Sequence, residues 1–196
     1  MLRIYLGRHG QTDWNAELRL QGWTDIPLNE TGRRQARELA ARLRGIPLEC
    51  VYCSSLRRSR ETAELLAVEG AAVVALQDLN EQSLGKYEGT VLSGEELAEF
   101  QRRRLDANDT LEGGESRNQH LARVRRAIEF IRSRHRAGGN VLVIGHGGTN
   151  NLILQTLIGP TADVTFRFTN TELYQIELPD GGPPILWKQE PRPQDI

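Results

Sequence analysis

Short apolar runs alternate along the chain with longer stretches in which apolar residues recur every three or four positions. Four of the short runs predict strands: residues 3–7, 50–53, 72–76 and 141–144. The fourth run, Val-Leu-Val-Ile, is wholly apolar, which is typical of a strand that is buried on both faces. Residues 173–178 and 185–188 predict two closing strands.

Helical periodicity fills the intervals between these strands. Within residues 31–44, apolar side chains recur at spacings of three and four, which predicts an amphipathic helix with Asn29 or Thr31 as its cap. Ser93 and Ser116 each precede a Glu or Gln by three residues, and this capping-box spacing predicts two further helix starts. Arginines fill the outward positions of the second of these helices, which indicates a solvated face.

This alternation of strands and helices predicts an α/β domain with a mostly parallel sheet. We interpret residues 1–196 as a single domain, in which residues 78–114 form an inserted, partly helical segment on the substrate side. Ligands of such sheets bind beyond the carboxyl ends of the strands. His9 and His146 each follow the end of a predicted strand. If these two strands are neighbours, the two imidazoles face one pocket.

The composition is that of a soluble globular protein. Apolar residues make up 38% and charged residues 26% of the 196 positions, and the formal net charge is -1. A charge so near zero gives no general attraction to nucleic acid or to an anionic membrane, so we expect neither as a partner. No apolar run approaches the roughly 18 residues of a membrane span, and the first residues lack the apolar stretch of a signal peptide. A cytoplasmic location is therefore expected.

Two cysteines, Cys50 and Cys53, stand in a C-x-x-C spacing. Both fall on the second predicted strand, where three residue steps separate their Cα atoms by about 10 Å and direct the side chains to opposite faces. A disulfide needs Cα atoms within about 7 Å of each other. The sequence offers no second Cys/His pair that would complete a zinc site. We therefore interpret both cysteines as ordinary buried residues.

The polar loop after the first predicted strand reads Arg-His-Gly-Gln-Thr-Asp-Trp-Asn, from Arg8 to Asn15. This segment resembles the R-H-G-x-T-x-x-N signature of the histidine phosphatase superfamily, which includes cofactor-dependent phosphoglycerate mutases. Later segments resemble further motifs of the family in the expected order: residues 21–28, 54–63, 79–89, 113–116 and 145–148. The resemblance covers residues 3–158 and implies a three-layer α/β sandwich of the phosphoglycerate mutase-like type.

The resemblance also implies a role for each residue of the expected site. His9 is implied as the nucleophile that takes up the phosphoryl group, and Glu81 as the proton donor. Arg8 and Arg58 are implied as phosphate ligands, and His146 as the second catalytic histidine. The further candidates for binding phosphate or substrate are Thr12, Asn15, Gln21, Gly22, Thr24 and Gly147.

These residue types suit the stabilisation of a phosphoryl group in transfer. Such a group carries negative charge on its outer oxygens, and Arg8 and Arg58 can each donate forked hydrogen bonds to them. His146, if protonated, would add a third cation, and the Gly147 amide a further donor. We expect neither a metal nor a cofactor, because the sequence has no cluster of carboxylates, Cys or His at ligand spacing.

Two protonation states are required for this chemistry. His9 must be neutral with one bare nitrogen, and a backbone carbonyl that accepts the Nδ1 hydrogen would leave Nε2 to attack phosphorus. Glu81 must carry a proton that it can give to the departing oxygen, and then act as a base toward water. Neighbouring cations favour the ionised form of Glu81, so the sequence leaves open how this proton is retained.

Besides Asn29, which stands in place of the common Ser or Thr and is an equally good helix cap, two positions depart from the family pattern. Ser55 stands in place of the usual Pro, and we expect it to cap a helix that extends to about residue 68. Asn150 stands where the family often has an Arg. The second departure bears on contacts to the distal part of the substrate and not on the phosphoryl chemistry.

The leading hypothesis is a metal-independent phosphatase that hydrolyses small phosphomonoesters through a phosphohistidine on His9. A phosphoglycerate mutase is the alternative, but residues 82–89 lack the Arg that mutases typically carry after the catalytic Glu, and the stretch 89–113 is short. The second alternative is a non-catalytic module that binds a phosphorylated ligand. The presence of all five catalytic candidates argues against this alternative. The expected partner is a small-molecule phosphate ester. The sequence does not identify this ester and leaves the oligomeric state open, with a homodimer as one option.

Overall fold

The computed structural model describes residues 1–66, 70–159 and 168–188. Strands and helices follow one another in the order that the apolar pattern predicts. The strands are β1 Leu2–Arg8, β2 Cys50–Ser54, β3 Ala72–Leu76, β4 Gly139–Gly145, β5 Leu173–Leu178 and β6 Ile185–Lys188. The α-helices are α1 Asp13–Ala16, α2 Glu30–Arg42, α3 Arg57–Leu66, α4 Gly94–Leu105, α5 Arg117–Arg134 and α6 Gly147–Ile158. Two 3-10 turns, Gln77–Leu79 and Gly85–Tyr87, flank the loop that carries Glu81.

The strands form one sheet in the order β3-β2-β4-β1-β5-β6. Strands β1 to β4 are mutually parallel, whereas β5 and β6 are added in antiparallel pairing, which confirms the prediction of a mostly parallel sheet. Strand β1 lies beside β4 in a register that runs from Leu2 opposite Gly139 to Arg8 opposite Gly145. Because the two strands end at the same level, His9 and His146 leave the sheet side by side.

Helices pack on both faces of this sheet, as expected for a three-layer α/β sandwich. Helices α5 and α6 contribute to one apolar cluster, and α2 and α3 contribute to the cluster on the other face. Strand β4 lies between them, and its residues Val141 to Ile144 are at most 1% exposed, as the wholly apolar run predicts. Cys50 belongs to the first cluster and Cys53 to the second, so the two free thiols lie on opposite faces.

The helix starts follow the sequence signals in part. Asn29 Oδ1 accepts from Gly32 N–H, so Asn29 is the cap of α2, and the capping box at Ser116 is formed. Helix α4 does begin after Ser93, but the Ser93 side chain makes no capping hydrogen bond, so the predicted box is wrong there. Helix α3 begins at Arg57, two residues after Ser55, and the Ser55 hydroxyl donates to Asn80 Oδ1. Helix α3 is described to Leu66, and residues 67–69, where its end was expected, lie outside the described residues.

The inserted segment, residues 78–114, carries α4 and the second 3-10 turn. It is held by a small apolar cluster of Leu84, Phe100 and Leu111, against which Leu20 packs. This cluster places α4 beyond the carboxyl ends of the central strands, where it forms one wall of the cavity described below. None of the helices in the described parts of the chain is both long enough and apolar enough to cross a membrane.

Candidate active site

A cavity of about 780 Å³ opens at the carboxyl ends of β1 and β4. The rings of His9 and His146 lie at its base with their centroids 5.1 Å apart. His9 N–H donates to Gly145 O at 3.1 Å, which ties the loop after β1 to the end of β4. The predicted site residues that line the cavity are Arg8, His9, Asn15, Gln21, Gly22, Arg58, Glu81, His146 and Gly147. The proximity of the two histidines that the strand pattern indicated is therefore confirmed.

The His9 ring is held in the orientation that a nucleophile needs. Its Nδ1 lies 2.6 Å from Gly10 O, and because a carbonyl can only accept, Nδ1 carries the hydrogen and Nε2 is bare. Burial together with Arg58 and Arg8 holds the pKa of His9 well below its usual value, so the imidazole is neutral. The turn requires glycine at Gly10, since a Cβ there would lie 2.4 Å from Gly32 O.

Arg8 and Arg58 both line the cavity together with His9. Arg58 is 1% exposed, and its two Nη atoms donate to Thr24 O at 3.0 Å and to Gly22 O at 2.8 Å. Arg8 Nη1 donates to Phe168 O at 2.7 Å. The Nε atoms of both arginines are buried without a partner in the described residues. Burial lowers the pKa of Arg58 to about 10, which still leaves the guanidinium charged at neutral pH.

His146 is oriented by a serine at the end of β2. Its Nε2 lies 2.7 Å from Ser54 Oγ, whereas its Nδ1 is buried without a partner in the described residues. Ser54 Oγ accepts from Leu56 N–H, which leaves its own hydrogen for His146 Nε2. Burial, Arg58 and His9 lower the pKa of His146 well below its usual value. In the free protein His146 is therefore neutral and not the third cation that a protonated ring would supply, and its hydrogen lies on Nδ1 when Ser54 donates to Nε2.

Glu81 lies at the N-terminus of α6. Its Oε2 accepts from Gly148 N–H at 2.8 Å, and its Oε1 accepts from Gln82 N–H at 2.9 Å and from Thr149 N–H at 3.2 Å. Burial raises the pKa of Glu81, but His120, Arg104 and these backbone donors outweigh burial and lower it to about 2. Glu81 is thus ionised in the free protein, as the sequence indicated.

Thr12 does not lie where the sequence analysis placed it. It is fully buried as the cap of α1, and Asn15 Oδ1 accepts from both its N–H and its Oγ1–H in a capping box. Thr12 Oγ1 also lies 3.1 Å from Gln21 Oε1. Thr12 therefore supports Asn15 and Gln21, which do line the cavity.

Thr24 is likewise a supporting residue and does not line the cavity. Its Oγ1–H and N–H both donate to Glu88 Oε2, at 2.6 and 2.8 Å, while its carbonyl accepts from Arg58. Glu88 Oε1 also accepts from Trp23 N–H and Leu84 N–H. Glu88, which belongs to the inserted segment, therefore links that segment to the loop whose carbonyls bind Arg58. Its place in the motif at residues 79–89 gives no indication of this role.

Asn150 is a third residue with a different role from the expected one. It is fully buried, and its Nδ2 donates to Gly7 O at 2.9 Å. It does not line the cavity. In this chain Asn150 therefore stabilises the end of β1, next to His9 in sequence. It does not contact the distal part of the cavity.

Arg123 of α5 supports the site, although the helical pattern predicts a solvated face for the arginines of this helix. Two of its nitrogens, Nε and Nη2, donate to the two carboxylate oxygens of Glu115 at 2.7 Å. Its remaining hydrogens go to the carbonyls of Asp78, Asn80 and Glu81. A charged clamp thus fixes the backbone on both sides of the Glu81 side chain. Nothing in the helical periodicity distinguishes Arg123 from the exposed arginines beside it.

Two more arginines and a histidine, from α4 and α5, also line the cavity. Arg104 Nε donates to Gln82 Oε1 at 3.2 Å, and Arg117 Nη2 donates to Gln155 Oε1 at 3.3 Å. No carboxylate of the described residues forms a salt bridge with either arginine. His120 of α5, to which the sequence analysis gave no role, lies beside them. These residues are identified by their position around the inserted segment. That position is visible only in the folded structure and has no signal in the sequence.

Comparison with known proteins gives one consistent result. Residues 4–190 match the model of the histidine phosphatase superfamily, branch 1. The chain is 34% identical over 187 residues to phosphoglycerate mutase-like protein 4 of Arabidopsis thaliana, covering 91% of this chain and 80% of that one. It is 32% identical over 194 residues to the Escherichia coli protein named "Probable phosphoglycerate mutase GpmB", covering 95% and 88%. The solved structure of the α-ribazole phosphatase from Shigella flexneri is similar, with a TM-score of 0.77, 26% identity and coverage of 91% and 92%.

Proposed function

Because this chain belongs to the histidine phosphatase superfamily, we propose that it hydrolyses small phosphomonoesters through a phosphohistidine on His9. The observation that carries this proposal is the orientation of His9. Its Nδ1–H donates to Gly10 O and its bare Nε2 lies in a cavity that Arg8 and Arg58 also line. A neutral imidazole with a bare nitrogen, next to two buried cations, suits attack on a phosphorus atom.

The first half-reaction transfers the phosphoryl group to His9. The phosphate oxygens lie between Arg8 and Arg58, whose unpartnered Nε–H groups can donate to them, with the Nδ1–H of His146 as a further donor. His9 Nε2 forms a bond to phosphorus while the bond from phosphorus to the ester oxygen breaks. Glu81 gives a proton to that oxygen, which leaves as an alcohol.

The second half-reaction returns His9 to its starting state. Water attacks the phosphohistidine, Glu81 accepts a proton from this water, and inorganic phosphate leaves. Because Glu81 is ionised in the free protein, it must gain a proton when the ester binds. The negative charge of the ester offsets the nearby arginines, and this favours protonation of the carboxylate.

Trapping of the intermediate tests the proposal. Turnover with a ³²P-labelled phosphate ester, quenched without acid, should leave label on the protein that is stable to base and labile to acid. The label should be absent from His9→Ala and present in the control variant His135→Ala, since His135 lies outside the cavity and contacts Tyr52 and Glu49. Label that is lost in His146→Ala but retained in His9→Ala would show that the two histidines have the opposite roles.

A phosphoglycerate mutase is the second candidate, and two further arginines of the cavity, Arg104 and Arg117, favour it. Among the described residues no carboxylate forms a salt bridge with Arg104 or Arg117, which suits a site for a second anionic group. Two of the similar proteins carry phosphoglycerate mutase in their names. With 3-phosphoglycerate and a trace of bisphosphoglycerate, a phosphatase releases phosphate faster than it forms 2-phosphoglycerate. Isomerisation that greatly outpaces hydrolysis would establish the mutase.

A further inference from the structure

His120 lines the cavity, yet none of the steps above uses it. Its side chain is nearly fully buried, and its Nε2 lies 2.9 Å from Thr149 Oγ1. The same Oγ1 lies 2.8 Å from Asn80 O and 3.4 Å from Glu81 Oε1. A single hydroxyl group, that of Thr149, therefore joins the imidazole of His120 to the carboxylate of Glu81.

The direction of these hydrogen bonds follows from the donors available. Thr149 has one hydroxyl hydrogen, and Asn80 O can only accept. While Thr149 donates to Asn80 O, the bond to His120 must be donated by Nε2–H, so His120 carries its hydrogen on Nε2 and its Nδ1 is bare. The Thr149 hydroxyl has a second acceptor within reach, Glu81 Oε1. Rotation of this one hydroxyl group would switch its hydrogen from the carbonyl to the carboxylate.

The proposed reaction needs a source for the proton of Glu81, because Glu81 does not keep one in the free protein. Three backbone N–H groups donate to its carboxylate, and a protonated oxygen could not accept all of them equally well. The proton that Glu81 gives to the leaving oxygen must therefore be supplied in each turnover.

We propose that His120 supplies this proton through the hydroxyl of Thr149, an inference that rests on the proposed phosphatase function. His120 Nδ1 takes a proton from water in the cavity, and its Nε2–H passes to Thr149 Oγ1. The hydroxyl hydrogen of Thr149 passes to Glu81 Oε1. Glu81 gives a proton to the ester oxygen as the electron pair of the breaking bond moves onto that oxygen.

The second half-reaction runs the same path in reverse. Glu81 takes a proton from the attacking water and passes one to Thr149, which returns one to His120 Nε2. His120 then releases the Nδ1 proton to the cavity. One proton enters and one leaves per turnover, and the original tautomer of His120 is restored. His120 acts through Glu81 and does not touch the ester, so it is a positioning residue for the proton.

The charges around His120 make proton uptake depend on the ester. Burial lowers the pKa of His120 to about 3; Glu81 opposes this shift, and Arg123, Arg104 and Arg117 add to it. Arg117 and Arg123 lie on its own helix, Arg104 on α4 and Glu81 on the facing loop. A phosphate dianion in the cavity offsets the three arginines and shifts the pKa of both His120 and Glu81 upward. The pair therefore gains its proton when the ester is bound.

The first experiment compares two leaving groups in His120→Gln. A glutamine can donate an N–H to Thr149 but cannot carry a proton from one nitrogen to the other. Propyl phosphate needs a proton on its leaving oxygen, whereas p-nitrophenyl phosphate does not. We expect the ratio of the two phosphorylation bursts, propyl to p-nitrophenyl, to fall about 10-fold or more in both His120→Gln and His120→Ala. A ratio that Gln restores to the wild-type value would reduce His120 to a structural residue and overturn the proposal.

Thr149→Val is a second, independent test of the path, because it removes the hydroxyl but keeps the backbone N–H that donates to Glu81. The burst ratio should fall as in His120→Gln, and the double variant should show no further fall. If the two single variants lowered the burst ratio by factors that multiply in the double variant, His120 and Thr149 would not act on one path and the proposal would be contradicted. His135→Gln is the matched control at the opposite end of the same helix and should keep the wild-type ratio. Absence of any burst from wild-type protein with either ester would instead refute the proposed function.

Discussion

The two ends of the cavity are built differently. At the phosphate end, backbone carbonyls hold the side chains: Gly10 O accepts from His9, Gly22 O and Thr24 O from Arg58, and Phe168 O from Arg8. On the wall formed by α4 and α5, here called the distal end although Arg104 lies close to Glu81, Arg104 and Arg117 are only partly buried and hydrogen-bond to the amide side chains of glutamines at 3.2 and 3.3 Å.

From this difference we infer that the phosphate end carries out the reaction and that the distal end selects the substrate. A side chain that is anchored to the backbone of the central sheet and its loops keeps its geometry whatever ester enters, and such preorganisation is what stabilises a transition state. A side chain anchored only to another side chain can reorient toward different leaving groups at little cost. We therefore expect substitutions at the phosphate end to affect all esters, and those at the distal end to affect only some.

The largest effect should come from Glu81→Gln with alkyl esters. Glutamine keeps the size of the residue but cannot release a proton, and general acid catalysis is typically worth about 100- to 10,000-fold. An alkoxide leaves poorly without a proton, whereas nitrophenolate leaves readily. The phosphorylation burst should therefore slow far more with propyl phosphate than with p-nitrophenyl phosphate. Equal slowing of both bursts would mean that Glu81 positions phosphate or water, and His146 would become the first candidate for the acid.

Arg58→Ala should slow both esters alike, by about 100- to 1,000-fold, because it removes charge stabilisation from the phosphoryl group and not from the leaving group. Single-turnover rates with the two esters measure this. Arg57→Ala is the matched control, since Arg57 precedes Arg58 on α3 but is exposed and pairs with Glu61. A loss of rate in Arg58→Ala that depended strongly on the leaving group would contradict the assignment of reaction chemistry to the phosphate end.

The phosphate end is also the part of the molecule that the sequence could predict. His9 and His146 follow strands whose apolar runs are unmistakable, and parallel neighbours bring such positions together. The neutral form of His9 with a carbonyl at Nδ1 was likewise expected from chemistry alone. The motifs correctly indicated Arg58 and Glu81 as residues of the cavity.

The supporting residues could not be predicted in the same way. Thr12 and Thr24 lie within the motifs, yet only the folded backbone shows that their hydroxyls face Asn15 and Glu88 and not the cavity. Arg123 shares its helix with exposed arginines, and periodicity cannot show that the carbonyls of a distant loop meet it. Their roles depend on contacts between residues far apart in the chain, which local patterns do not encode.

Arg117→Ala should have a smaller effect that depends on the substrate. The side chain lies at the distal end, so an ester whose leaving group carries a second anion should lose up to about 10-fold in kcat/KM, roughly one charge-assisted hydrogen bond. Esters with a neutral leaving group should be little affected. Arg126→Ala is the control on the same helix, because Arg126 is exposed and pairs with Asp78. A uniform loss across neutral and anionic esters would place Arg117 with the phosphate-end residues.

Removal of metal ions should have the smallest effect of all. In the described residues, no group of three or more His, Cys, Asp or Glu side chains is arranged to hold a metal ion. The proposed reaction instead assigns charge neutralisation at the phosphate end to Arg8 and Arg58, which no chelator removes. Hydrolysis of p-nitrophenyl phosphate should therefore keep its rate after dialysis against EDTA. A rate that falls with EDTA and returns with magnesium, manganese or zinc would show that the arginines do not suffice, and that the phosphate end needs an ion which the proposed mechanism leaves out.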